Sequence, residues 1–491
     1  MINLSSQFSM LLLALIAAIF SLIGLFAPNP LRSKQLSVMS SILVVLGVFF
    51  VASIVLLGTE SDLIGGLITS IDVERNHAIL LLFALVFSIV SFGFIFTSPM
   101  IMTGNLDRFQ TLWLLSSVLM FCSSTDVRFM LLAWLLSIVP AMVDNTSGKL
   151  KLQITKHRLF IFSQLVGLLM ISIGLAIAYN MNSAGKPAET SYIFSHFIRV
   201  LLRSNGFSTL ATFLIVVGLL MRQGVFPFHQ GFISLINKGK LPYSVLFLCS
   251  QLGFLLLLLL KNDFQEMSHV FTHQTVLAYL ATFSAMYFAL LSIVEVNIRK
   301  NYLLLLLMHS SLTVLLAATY GGVAQSALYV DIMVVLLVGG GLGLVLWLFE
   351  RRTGVISATK YLGMAAKMPI LSCFFLVFGL GLINFPLTLS FISEDLLLHG
   401  VLKHYPILTT LILIAFVITG ISFYHFYARL FLGTPLVNIS RRDILRNEAM
   451  ALILIFALII FFAFSPSILL KVASHEKSML SYLMMGGSSL Y

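Results

Sequence analysis

The chain has 491 residues, of which 59% are hydrophobic and 10% charged, with a formal net charge of +11. A mean hydropathy of +1.05 excludes a water-soluble globular protein of this size, whose surface could not be wetted by so few polar residues. Cys122, Cys249 and Cys373 stand apart in or beside apolar stretches with no Cys-x-x-Cys spacing, which argues against a metal-sulfur site or a disulfide framework.

Apolar runs long enough to cross a bilayer, about 20 residues each, recur about fourteen times along the chain. The first three lie near 8–27, 37–58 and 78–98. The first has no basic lead and no small-residue cleavage site, so it reads as a retained helix. An acidic loop at 59–77 (Glu60, Asp62, Asp72, Glu74) follows the second. The fourth and fifth, at 109–125 and 127–143, are parted by a short turn, and the sixth covers 158–180. The loop at 181–205 carries Gly185 and Pro187, then an apolar-polar stretch suited to the membrane surface. Later runs lie near 206–223, 241–260, 274–296, 302–319, 326–349, 369–388, 406–431 and 449–471, the twelfth continuing to residue 403. No connecting loop is long enough for a nucleotide-binding fold or a soluble catalytic domain, so no cofactor is expected in this chain. Chemistry of that kind must come from a partner.

One phrase occurs twice. Phe226-Pro227 is followed by Phe232-Ile233-Ser234, and Phe385-Pro386 by Phe391-Ile392-Ser393. Within a helix, proline removes a backbone hydrogen bond and clashes with the preceding turn, at about 3 kcal/mol. In lipid the freed carbonyls need another partner, so such breaks lie buried in protein or line a wet cavity. Matched broken helices in two halves of a chain point to an ion or substrate path. The two breaks fall in the seventh and twelfth spans. An odd offset of five spans gives the two units opposite orientation. The expected fold is therefore an all-α polytopic membrane protein of about fourteen transmembrane helices with two inverted five-helix repeats, each containing a broken helix. The expected divisions are an N-terminal three-helix segment at 1–108, a first repeat at 109–260, a second at 261–432, and a C-terminal helix and tail at 433–491.

With the N-terminus outside, the loops facing inward hold about twice as many basic residues as those facing outward, which puts both termini outside. Lys149, Lys151, Arg299, Lys300, Arg351 and Arg352 are among the inward ones. That placement accounts for the net charge without nucleic acid, and no aromatic-basic interleaving suggests a nucleic-acid surface.

Ionisable residues at membrane depth are costly and functional by default. Arg222 and His229 flank Pro227, Glu394 and Asp395 follow Pro386, and Asp331 opens the eleventh span. Glu295 and His309 bracket the junction of the ninth and tenth. Arg222 stays protonated, so it holds a carboxylate, an anion or a broken helix end and does not itself relay protons. Glu394 and Asp395 either carry a proton or cation, or face water at the end of the half-helix. His229 and His309 titrate near neutral pH or serve in packing. Asp331, Glu295, Asp126 and Asp144 also read as span-end residues, and His425 and Arg429 as part of an interfacial aromatic belt. Gly339-Gly340-Gly341 with Gly343 lies inside an apolar helix, where close helix packing explains it better than phosphate binding.

These residues resemble a known family. Arg222-Gln223-Gly224-Val225-Phe226-Pro227-Phe228-His229 resembles the Lys-Ser-Ala-x-Phe-Pro-Phe-His stretch of the antiporter-like, proton-translocating membrane subunits of complex I, Mrp antiporters and membrane hydrogenases. Leu241-Pro242-Tyr243-Ser244-Val245-Leu246 resembles their Thr-Pro-Val-Ser-Ala-Leu. Val296-Asn297-Ile298-Arg299-Lys300 with His309-Ser310-Ser311 resembles their Thr-Asp-Ile-Lys-Arg and Tyr-Ser-Ser. The chain departs from the family at Trp134-Leu135, where Trp-Glu is usual; at Arg222 and Leu248, where Lys and His are usual; and in the eleventh span, where Asp331 is the only charge. Within the family, Ser390 to Gly400 (SFISEDLLLHG) looks like the Gly-Phe-x-x-Glu-Asp-Leu-Leu segment of the membrane subunit of DAB/Mps-type inorganic carbon transporters.

That resemblance implies a proton- or Na+-conducting subunit in a bacterial inner membrane. Its ion flux would energise a cytoplasmic zinc protein resembling a β-carbonic anhydrase, with zinc in the partner only. The ion path would use Arg222, His229, His309, Asp331, Glu394 and Asp395. The alternatives are a pump subunit of a complex I, Mrp or hydrogenase type, and a non-conducting scaffold with the same fold.

Overall fold

The computed structural model describes residues 2–27, 29–58, 71–99, 102–124, 127–146, 149–152, 155–183, 206–253, 255, 271–319, 321–354, 357, 361–434 and 443–473. Most of the acidic loop and the whole of 184–205 lie outside the described residues.

Each expected span has a helix or a pair of helices. The N-terminal segment holds α1 (Ile2–Phe26), α2 (Pro30–Gly58) and α3 (Ile71–Thr97). Next come α4 (Met102–Ser123), α5 (Val127–Met142) and α6 (Arg158–Ser183). The broken seventh span is α7 (Gly206–Gln223) and α8 (Gln230–Lys238), and α9 (Leu241–Cys249) follows. The second half holds α10 (Phe271–Val294) and α11 (Ile298–Ala318), then α12 (Gly322–Val334), a π turn (Val335–Gly339) and α13 (Gly340–Thr353). The broken twelfth span is α14 (Pro369–Leu382) and α15 (Leu389–Leu402), followed by α16 (Pro406–Phe431), α17 (Arg446–Phe464) and α18 (Pro466–Ala473). Among the described residues nine helices are long and apolar enough to cross a membrane; the halves of the broken spans are shorter.

Local chemistry sets the boundaries. Pro242, Pro369 and Pro406 sit in the first turns of α9, α14 and α16, where a missing N–H costs nothing. Asn297 caps α11, accepting from the backbone N–H of Arg299 and Lys300. Gly354, at φ 68°, ends α13.

Three local features depart from the sequence expectation. The loop after α5 is not helical: β1 (Val143–Thr146) pairs antiparallel with β2 (Lys149–Leu152). Lys149-Leu150-Lys151-Leu152 alternates polar and apolar with a period of two, after a turn rich in Asn, Thr, Ser and Gly. The eighth span is interrupted after Cys249, with Gln251 at φ 46°. The last span breaks at Ser465-Pro466, which parts α17 from α18.

The tenth and eleventh spans are enclosed on all sides, as their all-round apolarity requires. The outer helices α1, α2, α6, α10, α16 and α17 keep exposed stripes of Leu, Ile and Phe for lipid. Packing partners recur five spans apart. Helix α4 packs on α5 as α10 packs on α11; α5 on α6 as α11 on α12; and α4 on α9 as α10 on α16. The glycines of the eleventh span serve close approach: a Cβ on Gly341 would lie 2.3 Å from the Phe378 ring, and one on Gly343 2.4 Å from Val245. Gly341→Val should therefore overpack this seam at about 1–3 kcal/mol and lower the melting temperature of the solubilised protein. Unchanged melting would contradict the close packing.

Candidate ion path

The second break shows how polar groups come to lie inside the bundle. Pro386 has no N–H for the carbonyl of Leu382, four residues earlier. His309 of α11 takes that place, its Nε2 2.7 Å from the Leu382 oxygen. A carbonyl only accepts, so Nε2 carries the hydrogen. The other ring nitrogen, Nδ1, then faces Asp331 Oδ1 of α12 at 3.6 Å. An unprotonated Nδ1 and an ionised carboxylate both lack a proton to share, so this arrangement is favourable only when one proton resides on the pair. Thr313 donates to Asp331 Oδ2 at 2.7 Å, and Ser393 of α15 to Oδ1 at 3.4 Å. All four side chains are buried. Glu394, next to Ser393, is partly exposed and is bonded by Asn384, which lies in the break at φ 59°. His309 and Asp331 thus form a buried polar pair at the bundle centre, and Glu394 of α15, bonded by Asn384, lies near enough for its charge to act on His309. Asp395 points away: it is exposed and pairs with His399 one turn on, at 3.4 Å.

The first break is built differently. Gly224 adopts φ 69°, and the bond before Pro227 is cis. The carbonyl of Met221 receives Gln164 Nε2 of α6 at 3.3 Å, while Gln164 Oε1 accepts from Arg222 Nη1 at 3.3 Å. The Arg222 guanidinium lies 4.0 Å from the centre of the Phe247 ring and 5.0 Å from that of Trp134. Among the described residues no carboxylate pairs with it. Leu135, at the position where the resemblance expects Glu, faces outward. His229 is buried against Phe226, Tyr287 and Phe288, with no described contact to His309 or Asp331. The structure therefore brings His309, Asp331 and Glu394 together and leaves Arg222, His229 and Asp395 outside that group. Glu295 accepts from the N–H groups of Val296 and Asn297, a span-end role.

Sequence reasoning missed Gln164, Thr313 and Asn384, and read Ser393 only as part of the repeated phrase; each carries one of these contacts. It also missed a cavity of about 530 Å3 at the end of α8, lined by Asp107, Lys240, Arg299, Glu350, Arg351, Arg352 and Glu448. Arg299 pairs with Glu350 there, and Arg352 with Glu448. The signal was present: Glu350 and Glu448 are rare carboxylates beside basic residues that were read only for topology. Among the described residues no group of His, Cys, Asp and Glu is placed to hold a metal.

If the buried pair moves protons, Asp331→Asn should cut ion flux by about 10²-fold, the scale of a lost proton-transfer group, while Asp395→Asn leaves it unchanged. Flux in proteoliposomes of the assembled complex checks both. Equal losses would refute the division between inward and outward carboxylates.

Residues 124–420 match the family described as NADH:quinone oxidoreductase/Mrp antiporter, TM. NADH-quinone oxidoreductase subunit M of Rickettsia bellii is 36% identical over 115 residues, which is 23% of this chain and 23% of that protein. The F420H2 dehydrogenase subunit M of Methanosarcina mazei is 23% identical over 354 residues, 68% of each chain. The match with the Rickettsia protein thus spans under a quarter of its length. In three dimensions the chain superposes on one chain of the membrane-bound sulfane sulfur reductase, an archaeal respiratory membrane complex. The TM-score is 0.79 at 15% identity, covering 95% of this chain and 96% of that one. This last likeness shows a shared fold.

Proposed function

The chain belongs to the NADH:quinone oxidoreductase/Mrp antiporter membrane family, and from that premise we propose that it is the proton-translocating subunit of a multisubunit complex of the complex I, Mrp or hydrogenase type. The observation that carries this reading is the His309–Asp331 pair, held beside the carbonyl freed by Pro386. Glu394 is the outer partner of the pair. Two five-span units, 109–260 and 261–432, sit in a bacterial inner membrane with both termini outside, so that the cavity beside Lys240 opens inward. In the first unit Arg222 replaces a titratable Lys and finds no described acid, so the second unit carries the proton. The redox or antiport chemistry resides in other subunits.

A second reading keeps one specific observation in its favour. The segment Ser390–Gly400 resembles the corresponding stretch of inorganic carbon transporters, and it is the segment that presents Ser393 and Glu394 to the buried pair. In that reading H+ or Na+ flux energises a cytoplasmic zinc protein resembling a β-carbonic anhydrase. Co-purification with zinc analysis separates the two: quinone, antiporter or hydrogenase subunits support the first, a zinc protein the second.

Glu394→Gln, which keeps size and removes the titratable proton, should lower proton translocation by the intact complex at least about tenfold while assembly is retained. Pump activity equal to wild type in an assembled Glu394→Gln complex would leave the chain as a scaffold.

A further inference from the structure

Arg222 is 3% exposed and Trp134 is fully buried. The guanidinium lies over the Trp134 ring, and among the described residues each side chain keeps one donor with no acceptor: Nη2 of Arg222 and Nε1 of Trp134. Of the remaining polar neighbours, only the Tyr243 oxygen, near the guanidinium, still offers lone pairs, and it carries no charge. Gln164 gives its oxygen to Arg222 Nη1 and its amide to Met221, and the Tyr243 hydroxyl donates to the carbonyl of Ser137. The site is therefore rich in donors, poor in acceptors and permanently positive.

Aromatic faces offset part of a buried cation's cost. A water molecule would satisfy the two donors, but neither rings nor water neutralise the charge, and an unpaired charge in an apolar interior is far more costly than a missing hydrogen bond.

We propose that Arg222 and Trp134 bind a small monovalent anion, a halide or bicarbonate, as the counter-ion of the first broken helix. The anion supplies the counter-charge that position 135 does not, since Leu135 faces outward, away from Arg222. It makes the first unit an anion-stabilised anchor. The inference depends on neither reading of the transported ion.

The test uses the full chain in nanodiscs of zwitterionic lipid, with bromide, chloride or bicarbonate replacing gluconate at constant ionic strength. Bromide should quench part of the tryptophan fluorescence saturably, chloride should compete, and the protein should melt higher in chloride than in gluconate. Arg222→Gln should weaken apparent anion affinity at least about tenfold, the scale of one charge-assisted hydrogen bond. Trp134→Phe keeps the aromatic face but removes one donor and the reporting fluorophore, so its affinity is read from the anion dependence of melting and should weaken less; it also serves if Arg222→Gln does not fold. Stronger competition by bicarbonate than by chloride identifies an inorganic-carbon site, and the reverse a halide site; both uphold the proposal. Linear quenching with equal melting in all anions overturns it in favour of a hydrated arginine. An anion effect untouched by Arg222→Gln or Trp134→Phe overturns it in favour of another locus.

Discussion

A carbonyl stripped of its helical partner inside an apolar bundle must find another donor, and the chain's chemistry collects where it does. Pro386 leaves the Leu382 oxygen without an N–H, and His309 supplies one. That single bond fixes the imidazole's tautomer and turns its second nitrogen toward Asp331. The same solution recurs at other interruptions, where Gln164 serves the Met221 carbonyl and Gln251 the Leu248 carbonyl. At those two sites the donor is an amide that cannot titrate. Only the second broken helix places a titratable ring on the freed carbonyl, with a carboxylate behind it. In the function proposed above, backbone repair and proton storage would there be one arrangement.

The two halves have thus diverged around a shared frame. Packing partners recur five spans apart, and both units break a helix around a Phe-Pro pair. In the first unit the break ends on a caged guanidinium, which stays charged at any working pH. In the second it ends on His309, Asp331 and, through Ser393, the turn that carries Glu394. In the proposed function, charge is fixed in one half and exchangeable in the other.

Most of the fold was legible in the sequence because apolar length and proline placement are strong signals in a membrane, where every backbone group must be satisfied internally. The hairpin at 143–152 was passed over because it lies within a short loop, although Lys149 to Leu152 alternates visibly. The break after Cys249 left no proline or glycine pair as a mark, since Gln251 takes the left-handed conformation itself. At the site, charged residues were legible one by one, because charge at membrane depth is rare. Their grouping was not. Asp395 and Glu394 are adjacent in sequence, yet helical rotation turns one outward and the other toward the break. Thr313 carries no signal in a chain rich in hydroxyl residues, Ser393 stood out only as part of the repeated phrase, and Arg222 gave no hint that its neighbours would be aromatic rings.

The claim on which the account rests is that His309 and Asp331 act as one proton-holding unit. A double-mutant cycle on proton flux in the reconstituted complex tests it most directly, using His309→Gln, Asp331→Asn and the combination. Residues that act as a unit lose their function together, so the double variant should be no slower than the worse single variant. Losses that multiply would show two independent groups and contradict the account.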